Sequence, residues 1–144
     1  MTDRDLLQYL TNTFPDIQIV SSNGNSFVYY APDQTVPERT FPFATLVTND
    51  DYDTLSKLYR PTVFRLNIGL AKATFQALLG HPPSATLRED DAPSEHDYTA
   101  LDKVMPHPIY GHLGWICVLN PDATWPTIQP LLDEAYQAAV RKSK

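Results

Sequence analysis

Cysteine is almost absent from this sequence, since Cys117 is the only one among 144 residues. One thiol cannot form a disulfide within the chain, and it excludes zinc sites that need two or more cysteines from the same chain. Glycine is also scarce, and none of the five glycines belongs to a GxGxxG or Walker-type phosphate loop. No serine lies in a GxSxG motif. The sequence therefore carries no recognisable catalytic motif, and a single cysteine fits a reducing compartment.

Positive charge is scarce as well. The chain has 11 Lys and Arg against 17 Asp and Glu, a net charge of -6, whereas nonspecific nucleic-acid affinity needs clustered basic residues. The one basic group, Arg141, Lys142 and Lys144, ends a predicted helix, where positive charge offsets the helix dipole. The segment Met1–Leu10 has no apolar run long enough for a signal peptide or a membrane span. We therefore predict a cytoplasmic protein with no membrane partner and little general attraction to nucleic acid.

The remaining composition favours a packed core. Hydrophobic residues make up 42% of the chain, charged residues 19%, and there are eight Tyr, six Phe and two Trp. A disordered chain would be poorer in aromatic and branched apolar residues. At this length folding buries roughly 70% of the surface that the unfolded chain exposes, so no metal or disulfide is needed for stability. We predict a single domain over residues 1–144.

Hydrophobic periodicity predicts the elements of this domain. Helical spacing indicates a first helix from about Asp3 to Thr13, a second from Leu70 or Ala71 to a capping Gly80, and a last helix capped by Thr127. Weaker patterns indicate short helices at 55–59 and 98–105, and the polar stretch 84–97 is predicted to be an exposed loop. Alternating or continuous apolar runs predict strands at 17–20, 26–30, 41–48, 63–68 and 115–119. This order favours an α+β fold, with a mainly antiparallel sheet and helices packed on one face.

Several blocks of sequence carry a resemblance that covers nearly the whole chain. They are Phe41–Thr48, Arg60–Gly69, Asp97–Asp102, Pro106–Pro108 and Gly114–Pro121. Together they resemble a bacterial family known as a domain of unknown function. None of the blocks is a catalytic signature, so the resemblance implies a common fold more than an activity.

A more distant similarity is to the MmcQ/YjbR-like superfamily. It lies in the succession of a Phe-Ala strand, an Arg-Leu-Asn strand, a Gly-Trp strand and a final Leu-Leu-Asp-Glu-Ala-Tyr helix. This similarity implies a two-layer, frataxin-like α+β domain, and a DNA-binding role is often suggested for the superfamily. The present chain departs from that role because it is acidic and lacks a basic stripe.

Arg65 and Asn67 are the main candidate ligand-binding residues, because alternation places both on one face of the same predicted strand. A guanidinium fork and an amide could together bind an anion or a carboxylate. Four further residues, Tyr29, Tyr30, His107 and Trp115, are candidates for lining the same concavity. The alternative is structural: Arg65 pairs with an acid such as Asp102, Asn67 holds a neighbouring loop, and the aromatic residues fill the core.

Catalytic and metal-binding roles have weaker support. The four histidines, His81, His96, His107 and His112, form no compact ligand motif such as HExxH. Cys117 lies in an apolar predicted strand, where a small core residue is expected rather than a thiolate. We therefore predict no catalytic residue, no metal site and no cofactor.

Three functions remain open at this point. The first is a noncatalytic module that binds a protein or a small molecule through the face carrying Arg65 and Asn67. The second is DNA binding, implied by the distant similarity alone, and the third is an unrecognised hydrolase or metal enzyme that uses His107 and nearby acids. The chain is expected to be a monomer or a homodimer.

Overall fold

The computed structural model describes residues 1–36, 40–83 and 96–143, and within these ranges it confirms the α+β class. Six strands form one open sheet in which every neighbouring pair is antiparallel, in the order β1-β2-β3-β4-β6-β5. The strands are β1 Ile17–Ser22, β2 Asn25–Tyr30, β3 Ala44–Val47, β4 Arg65–Gly69, β5 Met105–Pro106 and β6 Trp115–Leu119. The helices are α1 Asp3–Thr13, α2 Lys72–Leu79 and α3 Trp125–Lys142, and a 3-10 turn spans Gly111–Leu113.

Local sequence explains several of these bounds. A capping box begins α1, because the Thr2 hydroxyl accepts from the Asp5 backbone and the Asp5 carboxylate accepts from the Thr2 backbone. Gly80 ends α2 with a φ of 82°, a left-handed conformation that favours glycine. Asn23 and Gly24 also have positive φ and join β1 to β2 as a two-residue hairpin turn. The predictions of α1, α2 and this hairpin are confirmed.

The two faces of the sheet are covered differently. One face, called here the helix face, packs its apolar side chains against α1, α2 and α3. Its strand residues are Val28, Ala44, Leu46, Leu66, Ile68, Ile116 and Val118. The opposite face, called the loop face, is covered by segments 48–64 and 96–104, which contribute Leu58 and Tyr98 to a smaller apolar cluster with Val47, Met105, Cys117 and Leu119. The helices therefore form a single layer, as predicted.

Two predicted short helices are wrong. Residues 55–59 form turns, because the carboxylates of Asp53 and Asp50 accept hydrogen bonds from the backbone N–H groups of Leu55 and Leu58. Such side-chain bonds compete with helical ones. Residues 98–104 are likewise irregular, with Asp102 at a φ of 55°, and 105 and 106 form β5.

The start of the last helix also differs from the prediction. Its N-cap is Thr124, so Thr127 lies inside α3 rather than capping it. The reason is a distant carboxylate: Asp102 accepts hydrogen bonds from the backbone N–H groups of Asp122, Ala123 and Thr124 at 2.7 to 3.0 Å. Asp102 therefore satisfies N–H groups at the entry to α3, a position where negative charge is also favoured by the helix dipole.

The predicted loop at 84–97 lies largely outside the described residues, because 84–95 are not among them. None of the helices in the described ranges has both the length and the apolar character needed to cross a membrane.

Candidate functional site

Five of the six candidate ligand-binding residues lie on the loop face, Tyr29 of β2 among them. Arg65 and Asn67 alternate along β4, and Trp115 in β6 is paired with Gly69. His107 directly follows β5, and its backbone N–H donates to the Trp115 carbonyl at 2.9 Å. The structure places Tyr30 on the helix face instead, with its ring 5.8 Å from that of Tyr136 in α3. It therefore brings together Arg65, Asn67, His107 and Trp115, but not Tyr30.

Arg65 is the centre of a buried polar network. Its guanidinium is 2% exposed and forms a bidentate ion pair with Asp53, with Nη2–Oδ2 at 2.7 Å and Nη1–Oδ1 at 3.1 Å. Nη1 also donates to the Ser56 hydroxyl at 3.0 Å, and Nε donates to Asn67 Oδ1 at 3.1 Å. Every nitrogen of the fork is thus hydrogen-bonded inside the protein.

The acid that pairs with Arg65 is Asp53, which corrects the suggested pairing with Asp102. Burial by itself raises the pKa of Asp53, but the hydrogen bonds and the positive charge of Arg65, with the Leu55 N–H, outweigh burial and hold the pKa below its ordinary 3.8. The carboxylate is therefore ionised at neutral pH. A buried pair of this kind depends on both members, because either charge alone would be costly in this environment.

Asn67 extends the network to the neighbouring strand rather than to a loop. Its Nδ2 donates to Thr45 Oγ1 at 2.9 Å, and Thr45 faces Asn67 across the β3–β4 pair. Thr45 is partly exposed, and within the described part of the chain its own hydroxyl proton has no acceptor. A chain of hydrogen bonds therefore leads from the buried ion pair to a hydroxyl at the surface of the loop face.

His107 is held as a neutral imidazole. Its Nδ1 accepts hydrogen bonds from the backbone N–H groups of Ile109 and Tyr110, both at 3.0 Å, which assigns the ring proton to Nε2. Burial, and then the positive charge of Arg65, lower the pKa of His107 to about 3, whereas Asp53 opposes this shift. His107 therefore does not carry a charge at neutral pH, and its contacts are those of a turn-forming residue.

Trp115 lies directly over a glycine. A Cβ added at Gly69 would come within 2.9 Å of Trp115 Cε2, so only glycine leaves room for the indole in this position. The indole is partly exposed, and its N–H donates to none of the described residues. The aromatic plane and the free donor of Trp115 are thus both available at the loop face.

Further aromatic residues continue this surface across the sheet. Phe27 and Tyr29 project from β2 onto the loop face, where Phe27 faces Thr45 and meets the ring of Tyr52 at 6.0 Å. Tyr52 is 61% exposed. The intervening Phe43 is buried on the helix face against Tyr136, so it adds no side chain here. We define the aromatic patch as Phe27, Tyr29, Thr45, Tyr52, Gly69 and Trp115.

Cys117 lies beneath this face as a buried thiol, which confirms the prediction of a core residue. Burial raises its pKa to about 12, and the sulfur lies 3.8 Å from the Pro106 carbonyl. A thiol with such a pKa is protonated at neutral pH and is a poor nucleophile. Over residues 1–36, 40–83 and 96–143, no three His, Cys, Asp or Glu side chains form a group that could hold a metal ion.

Sequence reasoning missed three members of the network: Thr45, Asp53 and Ser56. The position of Thr45 could have been predicted, because the alternation of 41–48 puts its side chain on a definite face of the strand. Asp53 and Ser56 lie in the irregular segment between β3 and β4, whose path no periodicity reveals. Their pairing with Arg65 becomes visible only once this segment is folded over the loop face.

Comparison with known proteins and protein families places this chain in a family. No curated protein and no solved structure matches the chain. The model of DUF6194, described as a family of unknown function, matches residues 1–144, and the chain therefore belongs to that family.

Proposed function

We propose that this protein is a noncatalytic binding module whose ligand contacts the aromatic patch on the loop face. The observation that carries the proposal is the Thr45 hydroxyl, which stands among aromatic side chains and is oriented from below by Asn67. Binding sites are commonly apolar surfaces with a few well-placed polar groups. The Thr45 hydroxyl is such a group. Because the buried network already holds it in place, little conformational entropy is lost when the ligand binds.

Arg65 and Asn67 act in this proposal beneath the surface rather than on the ligand. An anion could reach the guanidinium only by displacing Asp53, which already occupies the fork with two hydrogen bonds. Asn67 in turn uses its Oδ1 for Arg65 and its Nδ2 for Thr45. The two residues therefore fix the position of the Thr45 hydroxyl, and Tyr30 on the helix face takes no part.

The chemistry of the patch defines the class of ligand. Thr45 and Trp115 offer donors, and the tryptophan and tyrosine rings offer flat apolar surface. No member of the patch is charged. The ligand we expect is an uncharged group with a flat apolar face and a carbonyl acceptor, as found in an aromatic amide or in a peptide segment.

The proposal is tested by titrating the protein with benzamide as the probe. Replacing Trp125 by Phe leaves Trp115 as the only tryptophan, so its fluorescence reports on the patch alone. We expect a saturable change in emission, with chemical-shift changes at Thr45 and Gly69 in an amide NMR spectrum. Thr45→Val removes the donor and should weaken binding about fivefold to tenfold, the effect of one hydrogen bond of about 1 kcal/mol.

Thr45→Ser is the matched control. It keeps both the hydroxyl proton and the acceptor for Asn67, so its affinity for benzamide should stay near that of the native chain. Equal affinity in all three proteins, or saturable binding with shifts confined to the helix face, would show that the patch is not the site.

Two further parts of the proposal rest on sequence. The single buried thiol of Cys117 fits a cytoplasmic location. The similarity to the MmcQ/YjbR-like superfamily supports a frataxin-like form of the α+β fold. Fractionation of cells expressing a tagged chain tests the first, and an experimental structure compared with that superfamily tests the second.

A further inference from the structure

Within residues 1–36, 40–83 and 96–143, the outer edge of β1 presents unpaired backbone groups. Among the described strands, β1 pairs with β2 alone. Ser22 and Asn25 close the two-residue hairpin, and the Ala31 N–H donates to the Asp16 carbonyl at 2.7 Å. Since hydrogen-bonded positions alternate along an antiparallel pair, the even-numbered residues of β1 bond to β2. The backbone N–H and C=O groups of Ile17, Ile19 and Ser21 therefore point away from the sheet.

This edge lacks the features that usually prevent strands from pairing with other chains. The segment Ile17–Ser22 contains no charged residue and no proline, and its register with β2 runs without a bulge. Val20 is 42% exposed beside it. The opposite edge of the sheet is protected, because β5 has only two residues and one is Pro106, which has no N–H to donate. The two edges of one sheet thus differ sharply in their capacity to pair.

We propose that β1 pairs in antiparallel orientation with β1 of a second copy of this chain, joining two sheets into one. Pairing centred on Ile19 sets each Ile19 against its counterpart and each Ile17 against Ser21 of the second copy. Each of these three facing pairs shares two backbone hydrogen bonds. This inference is independent of the proposed ligand site.

A second copy fits this edge because the strand is complementary to itself. A twofold axis midway between the two Ile19 residues, perpendicular to the sheet, keeps the helix faces of both copies on the same side. The isoleucines of the two strands therefore continue one apolar surface. On the loop face Gln18 meets the exposed Val20. Asp16 meets Ser22, so no like charges oppose each other in a protein whose net charge is -6.

The test measures the mass of the full chain by sedimentation velocity, from micromolar to millimolar concentration, with Ser21→Pro as the key variant. The Ser21 side chain is exposed and its N–H points outward, so proline there should leave the β1–β2 pair intact. It removes a hydrogen bond at two symmetric positions of the dimer and places a ring at the edge. We expect the dimer dissociation constant to rise about tenfold or more.

Ser21→Val is the matched control, since it keeps the N–H and favours a strand; it should dimerise like the native chain. In the native dimer, amide exchange should slow at Ile17, Ile19 and Ser21 but stay unchanged with concentration at Gln18 and Val20, which already bond within the chain. A native chain that remains monomeric at millimolar concentration overturns the proposal. The proposal is also wrong if Ser21→Pro leaves the dimer dissociation constant unchanged, or if Ser21→Pro and Ser21→Val raise it equally. It is wrong as well if the amides protected in the dimer are not those of Ile17, Ile19 and Ser21.

Discussion

The two faces of the sheet bury their residues by different physical means. The helix face is an apolar layer, in which Leu66, Ile68, Ile116 and Val118 pack against three helices. The loop face buries an ion pair, Arg65 and Asp53, under irregular segments held by side-chain hydrogen bonds. Arg60 illustrates the second mode, since its Nη2 donates to both the Ser56 and Thr99 carbonyls at 3.0 Å and ties the two covering segments together.

The two modes of burial differ in how closely they fix the positions of atoms. Apolar packing is nondirectional and tolerates exchange of one hydrophobic residue for another of similar volume. The polar network is directional, and it fixes the atoms at its end, among them the Thr45 hydroxyl. The helix face therefore holds the sheet by packing, and the loop face is the place where we propose a defined contact with a ligand.

The largest effect expected is from breaking the buried ion pair. Arg65→Met leaves the Asp53 carboxylate buried without its partner and should lower the free energy of unfolding by about 3 to 5 kcal/mol. Adding Asp53→Leu removes the orphaned charge, so the double variant should recover most of that loss. Urea unfolding followed by circular dichroism measures the native chain, the single variants Arg65→Met and Asp53→Leu, and the double variant.

Leu132→Ala on the helix face provides the contrast. It should cost about 2 to 5 kcal/mol through lost contacts and a cavity, and no second truncation should restore the loss. If the losses of unfolding free energy from Arg65→Met and Asp53→Leu simply add in the double variant, the loop face is not held by a coupled ion pair and does not differ from the helix face in this respect.

The next largest effect concerns pH and His107. Its pKa of about 3 lies below the ordinary 6.5, so below pH 6.5 the unfolded chain takes up a proton that the folded chain refuses. The stability linked to His107 is thus complete above pH 6.5 and is lost as the pH falls towards 3. The slope is at most about 1.4 kcal/mol per pH unit. His107→Asn offers a nontitrating acceptor to Ile109 and Tyr110 and should flatten this slope.

The free energy of unfolding of both proteins, measured from pH 7 to pH 4 by urea titration, checks this prediction. Only the acidic end of that interval approaches the carboxylates, because groups with lowered pKa values, Asp53 and Asp102 among them, lose their stabilising contribution as the pH falls through their ordinary 3.8 and below. Both proteins share that loss, so it does not affect the difference between their pH profiles. Parallel pH profiles for the two proteins would show that His107 is not the titrating group.

A smaller effect is expected from the carboxylate that caps α3. A hydrogen bond from the Thr124 hydroxyl, followed by bonds from backbone N–H groups, lowers the pKa of Asp102 to about 2. Asp102→Ala should cost about 1 to 2 kcal/mol, as expected for loss of a helix-capping acceptor. Asp102→Asn should cost less, because asparagine keeps an oxygen and tolerates the φ of 55°. Thermal unfolding compares the variants, and equal losses would assign the whole effect to charge.

The smallest effect concerns Cys117, whose labelling tests how tightly the loop face is closed. Because burial raises the pKa of this thiol to about 12, iodoacetamide should react with it only after unfolding. Mass spectrometry of labelled protein across a urea series should therefore give a transition that coincides with unfolding. Labelling of the native chain at the rate of free cysteine would mean that the covering segments open readily.

The fold was predictable where the pattern is local. The alternation at 63–68 correctly placed Arg65 and Asn67 on one face of β4, and the apolar run at 115–119 has the same bounds as β6. The β5 strand was missed because two residues, one of them proline, show no periodicity. The start of α3 was misplaced because the capping acid is Asp102, far from the helix in sequence.

The candidate site was predictable only in part, for the same reason. Alternation within β4 revealed that two polar side chains share a face, but not which acid Arg65 meets. Tyr30 and Trp115 come from different strands, and their relative faces depend on the register between β2 and its neighbours. Asp53 meets Arg65 through a segment of turns whose shape depends on tertiary contacts.

By itself, the sequence determined the class of fold, the shared face of Arg65 and Asn67 along β4 and the absence of a recognisable catalytic motif, because these depend on residue type and on spacing along the chain. The tertiary structure alone decided that Arg65 is satisfied by Asp53 and that Thr45 is the polar group left at the surface. Those outcomes depend on how irregular segments pack over the sheet, and a directional hydrogen bond between distant residues leaves no periodic trace in the sequence.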